Sequence, residues 1–214
     1  MALSIAVLIS GRGSNMLALD RATRDGRIDG RITAVISDRA DAAGLEAARA
    51  LGLATAVVAP ERGESRDSHG RRLAGAVGAS GAGLVALAGY MRILDGEFVR
   101  AFEGRLLNIH PALLPAYRGL HTHRRVLEAG DPSHGCTVHF VVEELDAGPA
   151  VIQGRLAVRP GEDEASLSAR VQRLEHIVYP RAVGWFAAGR LQCREGAAWI
   201  DGRRAGPEVV EEEN

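Results

Sequence analysis

The chain has 214 residues, 46% of them hydrophobic, and a formal net charge of −1. That length and composition suit one α/β domain with a full core, or at most one with a small appendage. The charge balance gives no reason to expect affinity for nucleic acid or a membrane surface, and the absence of lysine among the 26 basic residues excludes Schiff-base catalysis and a P-loop lysine.

Ser4 to Ile9 is a short, continuous aliphatic run, which reads as a buried parallel strand. It ends in Ser10-Gly11-Arg12-Gly13-Ser14-Asn15, and an amphipathic helix follows with Met16, Leu17, Leu19 and Ala22 available to one face. A glycine-rich turn between a first strand and a helix offers backbone N–H groups to an anion. Gly13, Ser14 and Asn15 are therefore candidate phosphate ligands. The alternative is a tight turn with Ser14 or Asn15 as the helix N-cap. The third glycine of the dinucleotide fingerprint is missing, so Asp38 after the second strand does not make this a nicotinamide site.

Arg31 to Ser37, Ala54 to Ala59 and Gly83 to Ala88 read as further strands, alternating with helices over Ala42 to Leu51 and Arg66 to Val77. This β-α-β-α-β-α-β order argues a parallel sheet with right-handed crossovers, the Rossmann-like half of a doubly wound fold. Gly89-Tyr90-Met91-Arg92-Ile93-Leu94 follows the fourth strand. Ligands in open α/β sheets bind beyond the carboxyl ends of strands, so this turn belongs to a candidate cleft. Alternatively, Met91, Ile93 and Leu94 are core. A helix from about Asp95 to Phe102 leads to a strand over Arg105 to Ile109.

That strand runs into Asn108-Ile109-His110-Pro111. Residues i and i+2 of an extended segment point to the same side, and Pro111 keeps His110 out of a helix. Asn108 and His110 would project together, an amide donor and a titratable ring suited to an anionic transition state. The other reading is a loop with a capping Asn and a solvated His. His121 and His123 stand two apart without a carboxylate or cysteine at ligand spacing, which favours a polar loop entering a helix at Thr122 over a metal site. His139, in a strand from His134 to Val142, is either a core histidine or a wall of the cleft.

Glu143-Glu144-Leu145-Asp146-Ala147-Gly148-Pro149 is a turn with three carboxylates. It is either a solvated connection or the place where Asp146, fixed before a Gly-Pro turn, orients His110 and favours its protonated form. A strand over Ala150 to Val158, a long helix over Ser166 to Ala188, and a short hairpin of Leu191 to Arg194 with Ala197 to Ile200 follow. Pro207 to Asn214 is acidic and lacks a core pattern, the signature of a frayed tail. Cys136 and Cys193 lack zinc or redox spacing and fit a reducing compartment. The first residues do not read as a signal peptide, and no apolar run is long enough to span a bilayer.

Taken together, Ser10-Gly11-Arg12-Gly13-Ser14-Asn15, Met91-Arg92-Ile93-Leu94, Asn108-Ile109-His110-Pro111, Gly119-Leu120-His121-Thr122-His123 and Asp146 with Gly148-Pro149 resemble, in order and spacing, the folate-dependent phosphoribosylglycinamide formyltransferase family. The resemblance covers essentially the whole chain. It implies an α/β, Rossmann-like formyltransferase fold: a mostly parallel central sheet, helices on both faces and an antiparallel C-terminal extension. It further implies one domain over 1–206, with a nucleotide-binding half to about 104 and a folate and catalytic half from about 105, then a disordered tail over 207–214.

The implied roles are these. Gly13, Ser14, Asn15 and Glu175 would hold glycinamide ribonucleotide. Arg66 and Met91, Arg92, Ile93 and Leu94, with Asn108, would bind the co-substrate 10-formyltetrahydrofolate. Asn108, His110 and Asp146 would be catalytic. No metal, nucleic acid or membrane partner is implied, a homodimer is compatible, and the location expected is cytoplasmic. Arg12 and Ala147 depart from the family's usual small polar residue and glycine. Within the same chemistry, a formyl-folate hydrolase or a methionyl-tRNA formyltransferase would carry an additional domain. A nucleotide-binding module without catalysis would not need the Asn-His-Asp set.

Overall fold

The structure is a computed structural model, described here for residues 2–212. The chain forms two compact units, one up to Asn108 and one from Ile109 onward. The division falls inside a strand.

The N-terminal unit alternates strand and helix: β1 (Leu3–Ile9), α1 (Ser14–Arg24), β2 (Gly30–Ser37), α2 (Ala43–Ala50), β3 (Thr55–Val57), α3 (Arg66–Ala79), β4 (Leu84–Leu87), α4 (Gly96–Ala101) and the start of β5 (Leu106–His110). The strands lie in the order β5-β4-β1-β2-β3, every pairing parallel. Parallel strands covered on both faces must be apolar throughout, and Ile5 to Ile9 and Leu84 to Ala86 are fully buried. Side-chain caps set helix starts: Ser65 accepts the Ser68 N–H at 3.2 Å, and Asp95 accepts the Phe98 N–H at 3.0 Å. α1 differs. Its N-cap is Gly13 in the left-handed conformation (φ 76°), with no side-chain cap, so neither Ser14 nor Asn15 caps the helix.

The second unit contains α5 (Thr122–Ala129), β6 (Ser133–Phe140), β7 (Ala150–Ala157), α6 (Glu164–Ala187), β8 (Leu191–Arg194), β9 (Ala197–Ile200), β10 (Arg203–Arg204) and β11 (Glu208–Glu211). β6 and β7 pair antiparallel, and α6 packs on both. The C-terminal hairpin forms as expected and gains β10, giving a three-stranded antiparallel sheet.

The tail expectation is corrected. Residues 208–211 are a strand, parallel to β7 from Glu208 opposite Ile152 to Glu211 opposite Arg155. Glu212 then pairs with the buried guanidinium of Arg170, which also holds Glu162 at 2.7 Å and the Ala157 carbonyl at 3.0 Å. A strand edge and a buried cation hold a segment that has no apolar pattern of its own. Glu213 and Asn214, also part of the expected tail, lie outside the described residues.

Candidate active site

β5 carries Asn108 and His110 two residues apart, Asn108 half-buried and His110 5% exposed. Each ring nitrogen of His110 faces an acceptor. Nε2 lies 2.9 Å from the Tyr117 carbonyl, which can only accept, so Nε2–H donates. Nδ1 lies 3.4 Å from Asp146 Oδ2. That carboxylate oxygen also accepts the Gly119 N–H at 2.9 Å. Asp146 is 9% exposed at the side chain and has a left-handed backbone, φ 50°, a conformation Asp tolerates better than most residues and one found at functional sites.

The turn that delivers Asp146 needs its glycine: a Cβ on Gly148 would stand 1.8 Å from the Phe140 carbonyl oxygen. Ala147 is not at positive φ, so its methyl group costs nothing there. Of the three carboxylates in this turn, Glu144 reaches out to the exposed Arg118 at 2.6 Å, while Asp146 goes to the buried imidazole.

His139 sits on the other side of the same carboxylate, with Nε2 3.8 Å from Asp146 Oδ1 and the residue 2% exposed. Its Nδ1 lies 2.8 Å from the Phe140 carbonyl and therefore carries the hydrogen. Burial holds this imidazole well below its usual range, against the opposite pull of the Phe140 carbonyl and Asp146. His139 is thus a neutral ring that walls the carboxylate, not a second ion pair.

His121 is exposed and left-handed (φ 57°) at the N-cap of α5, as a loop entering the helix requires. His123 instead meets His134 with Nδ1 and Nε2 2.9 Å apart and the rings edge to face. One ring must donate and the other accept, which suits two neutral imidazoles. Burial pushes His134 down to about 4 and lowers His123 as well. Among the described residues no three His, Cys, Asp or Glu side chains are grouped to hold a metal ion.

In the N-terminal unit, the glycine turn packs directly on the start of α2. The Gly44 N–H donates to the Gly11 carbonyl at 2.9 Å. A Cβ on Gly13 would lie 2.9 Å from Gly44 Cα, and one on Gly44 would lie 2.6 Å from Ile9. Ser10 ties three strand ends together: its hydroxyl donates to Asp38 at 2.6 Å and accepts the Met91 N–H at 2.9 Å. Asp38 is thereby committed internally rather than offered as a ribose reader.

Met91 and Ile93 are 65% and 56% exposed, which rules out the core reading for both. With Arg66 and Arg92 they line a cavity of about 310 Å³, whereas Leu94, half-buried, does not. Glu175 lies nearly buried on α6. Burial, and secondarily the charge of Glu175, push the Cys136 thiol up. Gly44 and the Tyr117 carbonyl were not legible as site elements, because backbone groups carry no spacing signature; Ser10 and Gly119 stood within the sequence motifs but without a role of their own.

A buried imidazole stands between a carbonyl and a carboxylate, two residues along one strand from an amide, and the fold is α/β with parallel strands. The chain belongs to the formyl transferase family, which matches residues 3–183. It is an enzyme of formyl transfer.

It is 48% identical over 206 residues to the phosphoribosylglycinamide formyltransferase of Escherichia coli, covering 96% of this chain and 97% of that one. A solved phosphoribosylglycinamide formyltransferase from Coxiella burnetii superposes with a TM-score of 0.93 at 42% identity, over 98% of this chain and all of that one. A formyltetrahydrofolate deformylase from Pseudomonas putida, at 24% identity and a TM-score of 0.84 over 94% of this chain and 70% of that one, shares the fold.

Proposed function

We propose that this enzyme transfers the formyl group of 10-formyltetrahydrofolate to the amine of glycinamide ribonucleotide, a step of purine synthesis, and that Asn108, His110 and Asp146 carry the chemistry. The observation that carries the assignment of roles is the His110–Asp146 pair at 3.4 Å, two residues along β5 from Asn108. The amine nitrogen attacks the formyl carbon and its carbonyl oxygen becomes an oxyanion. Asn108 and protonated His110 donate to that oxyanion, and a positioned donor of this kind is worth roughly 2.7–4 kcal/mol. The new C–N bond forms as the oxyanion does; the C=O bond then reforms, the bond to the folate nitrogen breaks, and the amine's proton passes to that leaving nitrogen. Asp146 holds the ring and compensates the imidazolium. For Nε2 to reach an oxyanion it must exchange the Tyr117 carbonyl for the substrate.

Gly13, Ser14 and Asn15 are assigned to the ribonucleotide's phosphate, supported by the left-handed Gly13 at the start of α1. Glu175 is assigned to the ribonucleotide as well. Arg66 and Met91 to Leu94 are assigned to the folate, supported by the cavity that three of those four turn residues line together with Arg66. The decisive assay follows tetrahydrofolate by absorbance, with and without the ribonucleotide. Product that forms only when the ribonucleotide is present supports the transferase. Equal product without it, with release of formate, identifies a hydrolase and overturns the reading.

A further inference from the structure

Two locally unfavourable choices meet between α3 and the start of α4. The first is Gly70, inside α3, where glycine is a poor helix former. The second is Asp95, 5% exposed at the N-cap of α4. Its Oδ1 accepts the Phe98 N–H at 3.0 Å. Its Oδ2 is buried and makes no hydrogen bond among the described residues. One oxygen suffices for a cap, as Ser65 shows at α3. A buried polar atom without a partner costs free energy, so the second oxygen calls for another explanation.

The two choices explain each other. A Cβ on Gly70 would stand 1.5 Å from Asp95 Oδ2 and 2.4 Å from its Cγ. The carboxyl group thus fills the notch that the missing side chain leaves on α3, and any other residue at 70 would compete for the same space. The exposed Arg71–Glu97 pair, at 3.4 Å, also joins α3 to α4, but an ion pair in solvent contributes little. The notch joins the two walls of the cavity: Arg66 and His69 line it from α3, and Met91 and Ile93 line it from the turn just ahead of Asp95.

We propose that Gly70 and Asp95 are positioning residues for the formyl donor: the carboxyl group seated in the notch sets the separation of the two cavity walls. This rests on the proposed folate reading. Neither residue needs to touch the ligand. A packed interior transmits strain, so a displacement at Gly70 is carried along α3 to His69 and Arg66. The glycine turn ahead of α1 rests on Gly44 instead, so the ribonucleotide side is insulated from the notch.

The test is the dissociation constant of tetrahydrofolate, measured by calorimetry on the whole enzyme and three variants. Gly70→Ala puts a methyl group where Oδ2 lies, forces the walls apart and weakens binding about tenfold, with the KM for the ribonucleotide unchanged. Asp95→Ser keeps a capping oxygen for Phe98 but empties the notch, and it also weakens binding. In Gly70→Ala/Asp95→Ser the methyl group occupies the vacated space, and the affinity returns to that of the wild type. Should Gly70→Ala not fold, Asp95→Ser and the double variant decide the matter. Melting temperatures that shift while the dissociation constant stays at the wild-type value overturn the positioning role, because a merely structural contact behaves that way. A double variant no tighter than the weaker single variant overturns it as well. A wild-type enzyme that does not bind tetrahydrofolate overturns the folate reading together with it.

Discussion

Asp146→Asn isolates the charge that holds His110. The two side chains are nearly the same shape, and an asparagine oxygen can still accept the Gly119 N–H now held at 2.9 Å. What disappears is the attraction between a carboxylate and an imidazolium 3.4 Å away. In an effective dielectric of about 20 that attraction is about 5 kcal/mol, part of it offset by desolvation. The charge matters most when the ring is fully cationic against the oxyanion, so the loss falls on kcat. We expect kcat to drop by about 10²- to 10⁴-fold, while KM for both substrates and the melting temperature change little. Tetrahydrofolate formation, followed by absorbance under saturating conditions, gives the number. Carboxylate and ring act as a unit, so Asp146→Asn combined with His110→Asn should be little worse than the worse single variant. Multiplying losses would refute the argument that one positions the other.

Gly13→Val forces a β-branched residue into φ 76° with its Cβ 2.9 Å from Gly44 Cα, and should raise the KM for the ribonucleotide sharply; a folded variant with unchanged affinity refutes the phosphate assignment. His134 is pushed down to about 4 by burial, against about 6.5 when unfolded. Between those values the unfolded chain binds the proton and the folded one does not, so stability falls as pH drops from 6.5 toward 4. The full loss is about 3 kcal/mol for this ring, and denaturant midpoints that stay flat from pH 7 to 4.5 would contradict it. Arg170→Ala strands the carboxylate of Glu162, whose side chain is 2% exposed, and should cost about 3–5 kcal/mol. Urea unfolding measures it, and a cost under 1 kcal/mol would show that water reaches the ion cluster.

Much of this protein was legible along the chain because the signals are local. The aliphatic run of β1, the alternation through β5, the hairpin of β8 and β9 and the strand position of Asn108 and His110 all follow from periodicity and turn residues a few positions apart. The glycine turn ahead of α1 was legible for the same reason. Its dependence on Gly44 was not, since that contact joins two helix starts some thirty residues apart.

Three decisions belonged to the tertiary structure. Glu143, Glu144 and Asp146 are equivalent as letters in a turn. Only the approach of β5 and the Gly119 N–H selects Asp146, while Glu144 is left to a solvent-exposed arginine. Met91 and Ile93 read equally well as core or as cleft, because apolarity alone does not say which side of a strand end is empty. Glu208 to Glu211 looks like an acidic tail because a strand that borrows its partner from the edge of β7, and its anchor from Arg170, needs no apolar pattern of its own. Local pattern sets which segments are strands and helices. Hydrogen-bond partners and buried charges distant in sequence decide which polar groups are used, and those are supplied only when the chain has folded.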